Sequence, residues 1–141
     1  CTENEAAMNK PLTADDVVVG ILYVLHKGNP DLKITADRER LHRAFKMLVD
    51  SGCDALRKTF SFRQREFFAE SSELDQALSN LDAAGLIARY NQTPKYYTVS
   101  DSLKVCFDDF SKPTLETEGI TEDLLGREAL RLAGQLEYAA A

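Results

Sequence analysis

No stretch of this sequence is apolar for long enough to span a membrane. The densest, Val17 to Leu25, is interrupted by Gly20 and Tyr23, whereas a span needs about 18 residues. Cysteine is scarce and unpatterned: Cys1, Cys53 and Cys106 are an odd, widely spaced set without a C-x-x-C pair. That excludes a disulfide framework and a zinc site, and points to reduced thiols in a cytoplasmic protein. Cys1 also admits a lipidated mature terminus on a polar Thr2–Glu5 tether, or simply a trimmed start. Only two histidines are present, and there is no Gly-rich phosphate loop, zincin motif or nucleophile elbow. His26 reads as a residue at a helix end, and His42 as half-buried beside an apolar stripe. His42 with Cys53 lacks an orienting carboxylate at a defined spacing. An enzyme is therefore not expected, nor is any catalytic residue, metal or cofactor. There is no internal repeat, and seven Gly and four Pro in 141 residues exclude collagen-like and low-complexity chains.

What remains is an ordinary globular composition, 44% hydrophobic and 28% charged, in 15.7 kDa. A chain of this size can bury roughly two-thirds of its unfolded surface without staples. The net charge of −6 gives no general attraction to nucleic acid. That average hides a segregation. Residues 31–66 carry nine cations and six acids, whereas residues 67–141 carry six cations and thirteen acids. A polyanion would meet the middle third.

Residues 1–12 are polar and read as a flexible arm. Thr13 is placed as an N-cap, with Asp15 and Asp16 in the first turn. The helix it opens should bury Val17, Val18, Ile21, Leu22, Val24 and Leu25, and stop at Gly28-Asn29-Pro30. Apolar around most of its circumference, it reads as a central helix. An extended piece, Leu32 to Ile34, precedes a second cap at Thr35. Leu41, Ala44, Phe45, Leu48 and Val49 then form a helical stripe, whose outer face pairs Glu39 with Arg43 and Lys46 with Asp50.

Residues 53–70 are the least regular stretch and read as a long connection. Phe60, Phe62, Phe67 and Phe68 alternate there with Arg57, Lys58, Arg63 and Arg65. Either the rings pin the connection to the core, or they stack on bases while the cations meet phosphates. A third helix, capped by Ser71 or Ser72, carries the stripe Leu74, Ala77, Leu78 and Leu81 and ends at Gly85. Residues 86–90 and 95–99 read as the strands of a hairpin about the turn Asn91–Pro94. A short helix from Ser102 to Phe110, a loop from Lys112 to Gly119 and a last helix capped by Thr121 follow. Ile120 and Leu125 are placed as a hydrophobic staple at that cap. Leu125, Ala129, Leu132 and Leu136 line one face of the last helix, to be buried on its own domain or used as a homodimer seam.

The run Leu81-Asp82-Ala83-Ala84-Gly85-Leu86-Ile87-Ala88-Arg89, followed by Tyr96-Tyr97-Thr98-Val99-Ser100, resembles winged helix-turn-helix domains. The resemblance extends over about residues 13–100. It implies a mainly α fold with a small β-hairpin: a winged-helix domain (13–100) after the arm, with a C-terminal helical extension (101–141). It also implies that the third helix enters the major groove of double-stranded DNA while the hairpin touches the backbone. On this pattern Gln76, Ser79 and Asn80 are the candidate groove residues, Arg89 and Lys95 the wing contacts, and Arg57, Lys58, Arg63 and Arg65 further phosphate contacts. The sequence departs from the pattern in one respect: no Lys or Arg lies between Ser71 and Gly85, and Asp75 and Asp82 would repel phosphate. The expectation is a DNA-binding transcriptional regulator or accessory factor; the alternative is a module of the same fold that binds a protein partner.

Overall fold

A computed structural model describes residues 11–51, 54–89 and 96–138. In chain order the elements are α1 (Ala14–Gly28), β1 (Lys33–Thr35), α2 (Arg38–Ser51), α3 (Asp54–Arg57), β2 (Arg63–Gln64), β3 (Ala69–Glu70), α4 (Ser72–Ala83), β4 (Ile87–Arg89) and β5 (Tyr96–Val99). Then come α5 (Ser102–Cys106), a π-helical turn (Phe107–Ser111), α6 (Lys112–Thr117) and α7 (Glu122–Leu136). The fold is mainly helical with a small antiparallel sheet. Cys1, Cys53, the turn Asn91–Pro94, Lys95 and most of the arm lie outside the described residues.

Helix α1 begins with a capping box. The Thr13 hydroxyl accepts the Asp16 N–H at 3.4 Å, and the Asp16 carboxylate accepts the Thr13 N–H at 3.2 Å, so two orphan donors are satisfied reciprocally. Asp16 is itself buried, and its other oxygen accepts the buried Ser111 hydroxyl at 3.0 Å. As its apolar circumference implies, α1 is central: Val17, Val18 and Ile21 are wholly enclosed, and α4, the segment 102–117 and α7 pack around it. A Cβ on Gly20 would stand 3.0 Å from Leu125 and 3.1 Å from Leu115 side-chain carbons. The glycine therefore sets how closely α6 and α7 approach.

The hairpin read from the sequence is part of a three-stranded sheet in the order β1-β5-β4. Strand β1 joins through Lys33 opposite Thr98, Ile34 opposite Tyr97 and Thr35 opposite Tyr96. Because Thr35 is held in that ladder, it does not cap α2. Its hydroxyl accepts the Asp37 N–H at 3.1 Å, and Asp37 accepts the Glu39 N–H at 3.0 Å. The N-cap is Asp37. Both expected pairs on the outer face of α2 form, Arg43 with Glu39 at 3.0 Å and Lys46 with Asp50 at 2.7 Å.

The connection before α4 is more ordered than its composition indicates. It contains the single turn α3 and a ribbon, in which Arg63 faces Glu70 and Gln64 faces Ala69. The tip, residues 65–68, closes with the Arg65 N–H on the Phe68 carbonyl at 3.1 Å.

Helix α4 ends in a Schellman motif: the Leu86 N–H reaches the Leu81 carbonyl at 2.9 Å and the Gly85 N–H reaches Asp82 at 3.1 Å, with Gly85 at φ +76°. Residues 112–117, expected as loop, continue the helix that starts at Ser102. Pro113 has no N–H to give, and the π turn just before it widens the helix where its ring would otherwise crowd a carbonyl. The stripe Leu125, Ala129, Leu132 and Leu136 is buried in this chain's own core against α1 and α2. It is not presented as a dimer seam. Ile120 and Leu125, the expected staple, are both buried. Beyond α7 the chain lies along β1, with the Tyr138 N–H on the Lys33 carbonyl at 2.8 Å.

Candidate nucleic-acid interface

Helix α4 is turned by its own stripe. Leu74, Ala77, Leu78 and Leu81 are buried, which sends Ser72, Gln76, Ser79, Asn80 and Ala83 outward. The Ser71 hydroxyl caps it, accepting the Leu74 N–H at 3.3 Å. Two of the three expected groove residues are already engaged within the chain. The Gln76 amide donates to Asn80 Oδ1 at 2.9 Å, and the Asn80 amide donates to Asp15 Oδ2 at 2.9 Å. Ser79 stays exposed, on a small cleft of about 190 Å³ that also includes Asp82, Arg89 and Tyr97.

Each acid of α4 has its own partner. Glu73 accepts the Ser61 N–H at 3.1 Å and the Ser71 hydroxyl at 3.0 Å. Burial opposes its ionisation, but these bonds and its own N–H outweigh burial and hold the carboxyl below its ordinary value. Asp82 accepts from Arg89 Nε at 3.0 Å, so the described cation of the expected wing is neutralised at its base. Asp75 takes a bidentate grip from Arg38, 2.6 Å to Nη2 and 3.2 Å to Nε, and a third bond from His42 Nε2 at 3.0 Å. Here too burial resists ionisation, and the bonds from Arg38 and His42 prevail, so the carboxyl sits low. The same contacts raise the Arg38 guanidinium.

His42 is fully buried, not half-buried. The Ser71 N–H donates to its Nδ1 at 2.9 Å, so Nδ1 is unprotonated and Nε2 carries the proton given to Asp75. Both ring nitrogens are thus engaged, and the imidazole ties α2 to the start of α4. The orienting carboxylate missing near His42 in the sequence is Asp75, 33 residues away. Nothing in the sequence marks Arg38 either: no local spacing links it to Asp75 or to its other partner, Glu70.

Cations gather instead along residues 57–65, where Arg57, Lys58, Arg63 and Arg65 occur with no acid among them. All four are exposed. Arg57 lies 3.6 Å from Asp54 and Arg65 lies 3.5 Å from Glu70, both long, solvent-accessible pairs. Pairs of that kind are worth about 0–1 kcal/mol, so a phosphate could displace them at little cost. Arg38, gripped by two carboxylates, is not released so easily. Backbone alternation makes this possible: Phe60 is buried and Phe62 packs on the core, while Ser61 and Arg63 face out. The four phenylalanines therefore divide. Phe68 lies against His42 at 5.8 Å and Arg38 at 5.9 Å, whereas Phe67, at the ribbon tip, is 75% exposed.

No family model, curated protein or solved structure matches this chain.

Two clefts flank the Arg65–Glu70 pair and share Arg38, Arg65 and Glu70. One, of about 460 Å³, adds Ser61, Arg63, Ser72 and the carboxylates of Glu73 and Asp75; the other, of about 440 Å³, adds Glu66, Phe67 and Phe68. Among the described residues no group of three or more His, Cys, Asp or Glu is arranged to hold a metal, and no helix is long and apolar enough to cross a membrane.

Proposed function

We propose that this chain is a nucleic-acid-binding module of winged-helix type, a transcriptional regulator or accessory factor. It meets phosphates through Arg57, Lys58, Arg63 and Arg65 more than through the wing. The element order α1-β1-α2-α4-β4-β5 and the strand order β1-β5-β4 support the fold assignment. The observation that carries the functional reading is the run of four exposed cations in residues 57–65, with no acid between them along the chain. Arg63 and Ser72 line one cleft there, and Ser61 is bonded to Glu73.

Fluorescence anisotropy with a random-sequence duplex, across a salt series, tests this reading. Binding should weaken as salt rises, and replacing Arg63 and Arg65 together with Ala should flatten the log–log salt slope by about two. Replacing Arg89 should change it less, because Asp82 already offsets that charge. No binding at low salt overturns the reading.

A protein partner is the second reading, and the specific observation favouring it is α4 itself. The helix has no cation between Ser72 and Ala83 and its carboxylates are fixed in place, a face poorly suited to a groove walled by phosphates.

A further inference from the structure

The segment 102–117 holds in solvent an aromatic ring that its own periodicity would bury. An uninterrupted α-helix returns to its inward face every three or four residues. Leu103 and Phe107, both buried, would then be followed inward by Phe110. The π-helical turn Phe107–Ser111 changes that order. The Lys112 N–H reaches back to the Phe107 carbonyl, so each residue advances less around the axis. Ser111 arrives inward instead, bonded to Asp16 at 3.0 Å, and Phe110 is left 62% exposed.

Charge around that ring is mostly of one sign. Residues 101–118 carry five acids and two lysines, and Lys104 is held by Asp108 at 2.8 Å. Asp109, Glu116 and Glu118 are exposed and form no ion pair among the described residues. Val105, 59% exposed, and Pro113 lie with Phe110 on the outward side of the same helix. Other strongly exposed apolar side chains have mixed surroundings: Phe67 follows Arg65 and Glu66, and Leu130 lies between Arg127, Glu128 and Arg131.

We infer that this face docks a cationic amphipathic helix of another protein. The apolar side chains of that helix cover Phe110, Val105 and Pro113, and its lysines or arginines meet Asp109 and Glu116. An aromatic anchor with a charged rim has the anatomy of a protein interface, in which a few buried aromatic side chains carry most of the energy. The carboxylates choose the occupant. They repel nucleic acid and an anionic membrane surface, and two copies of this face would repel each other. The face shares no residue with the cations of residues 57–65, so it adds a second partner and stands or falls apart from the nucleic-acid reading.

The test is titration calorimetry with a synthetic helical peptide that has leucines along one face and lysines on both flanks. A scrambled peptide of the same composition is the control. A single helix on a single helix makes a small interface, so the native chain should bind the helical peptide weakly, and more weakly as salt rises. Phe110→Ala should lose at least about tenfold in affinity, and Phe110→Trp should retain binding. Asp109→Asn/Glu116→Gln should lower affinity and flatten the salt dependence. All three variants change exposed side chains, so unaltered thermal melts will show that the fold is intact. Equal affinity of Phe110→Ala and the native chain overturns the inference. So does equal binding of the scrambled peptide, which would be charge attraction without docking, and so does no binding at low salt. Light scattering of the native chain alone covers the remaining occupant. A dimer that Phe110→Ala abolishes would give the face to a second copy and overturn the proposal.

Discussion

At the residue scale, His42 and Asp75 show how a conspicuous side chain can be structural. His42 spends one nitrogen on the Ser71 N–H and the other on Asp75, which Arg38 also grips. The knot joins α2, β3 and α4 through groups that each have a partner, the condition under which buried polarity is tolerated. Both Asp75 and Glu73 have folded values below their ordinary ones. Their contribution to stability is therefore complete above the ordinary carboxylate range, and is lost as pH falls through the lowered folded values. Urea midpoints measured from about pH 7 down to about pH 3 should fall towards the acid end. Asp75→Asn should start from a lower midpoint and show a shallower fall, because it removes one of the two groups whose protonation opposes folding. An undiminished acid dependence in that variant would exclude Asp75 as a source.

At the scale of the element, helix ends decide where α4 points. Ser71 at one end and Gly85 at the other fix its length, and Gly85 takes a left-handed φ of +76° that turns the chain into β4. No atom lies near enough to obstruct a Cβ on Gly85, so the cost of a side chain there is conformational. Gly85→Ala should destabilise the protein by about 1–2 kcal/mol, read from denaturant unfolding with an unchanged m value. A neutral result would mean that the turn adopts another geometry. The ribbon β2–β3 is the element hardest to foresee. Its strands are two residues long, too short to display the alternation by which strands are recognised in sequence. Composition still marks it through the run of arginine and phenylalanine. Which ring enters the core and which stays in solvent depends on the path of the backbone, and so separates Phe60 from Phe67.

For the whole molecule, the C-terminal helices are part of one core with the rest. Leu115, Leu125, Leu132 and Leu136 belong to the same buried cluster as Val17, Ile21 and Phe45. Leu132 is completely enclosed, so Leu132→Ala should cost about 2–5 kcal/mol. Unfolding followed by far-ultraviolet and near-ultraviolet circular dichroism should remain a single coincident transition at a lower midpoint. Two separated transitions would instead mean that residues 101–141 unfold as an appendage. The same packing explains the fate of the last helix's apolar stripe. A narrow leucine line has the same periodicity whether it faces a twin or its own domain, and only the position of α1 and α2 decides between them.

The sequence alone was enough for what neighbours along the chain control. Thr13, Ser71 and Thr121 cap helices, and Gly85 ends one, because a cap is a bond across three or four residues. The buried stripes follow for the same reason, since 3.6-residue periodicity is visible in any window of two turns. Partners far apart in sequence were decided only by the tertiary structure: Asp16 with Ser111, Arg38 and His42 with Asp75, Asn80 with Asp15, and β1 with β5. Such pairs arise when packed apolar faces bring polar groups within about 3 Å, and no spacing along the chain encodes them. The candidate interface divides along the same line. Its cations were legible as a run of residues, but their availability was not, because the carboxylates that occupy Arg38 and Arg89 and leave Arg63 exposed are positioned by the fold.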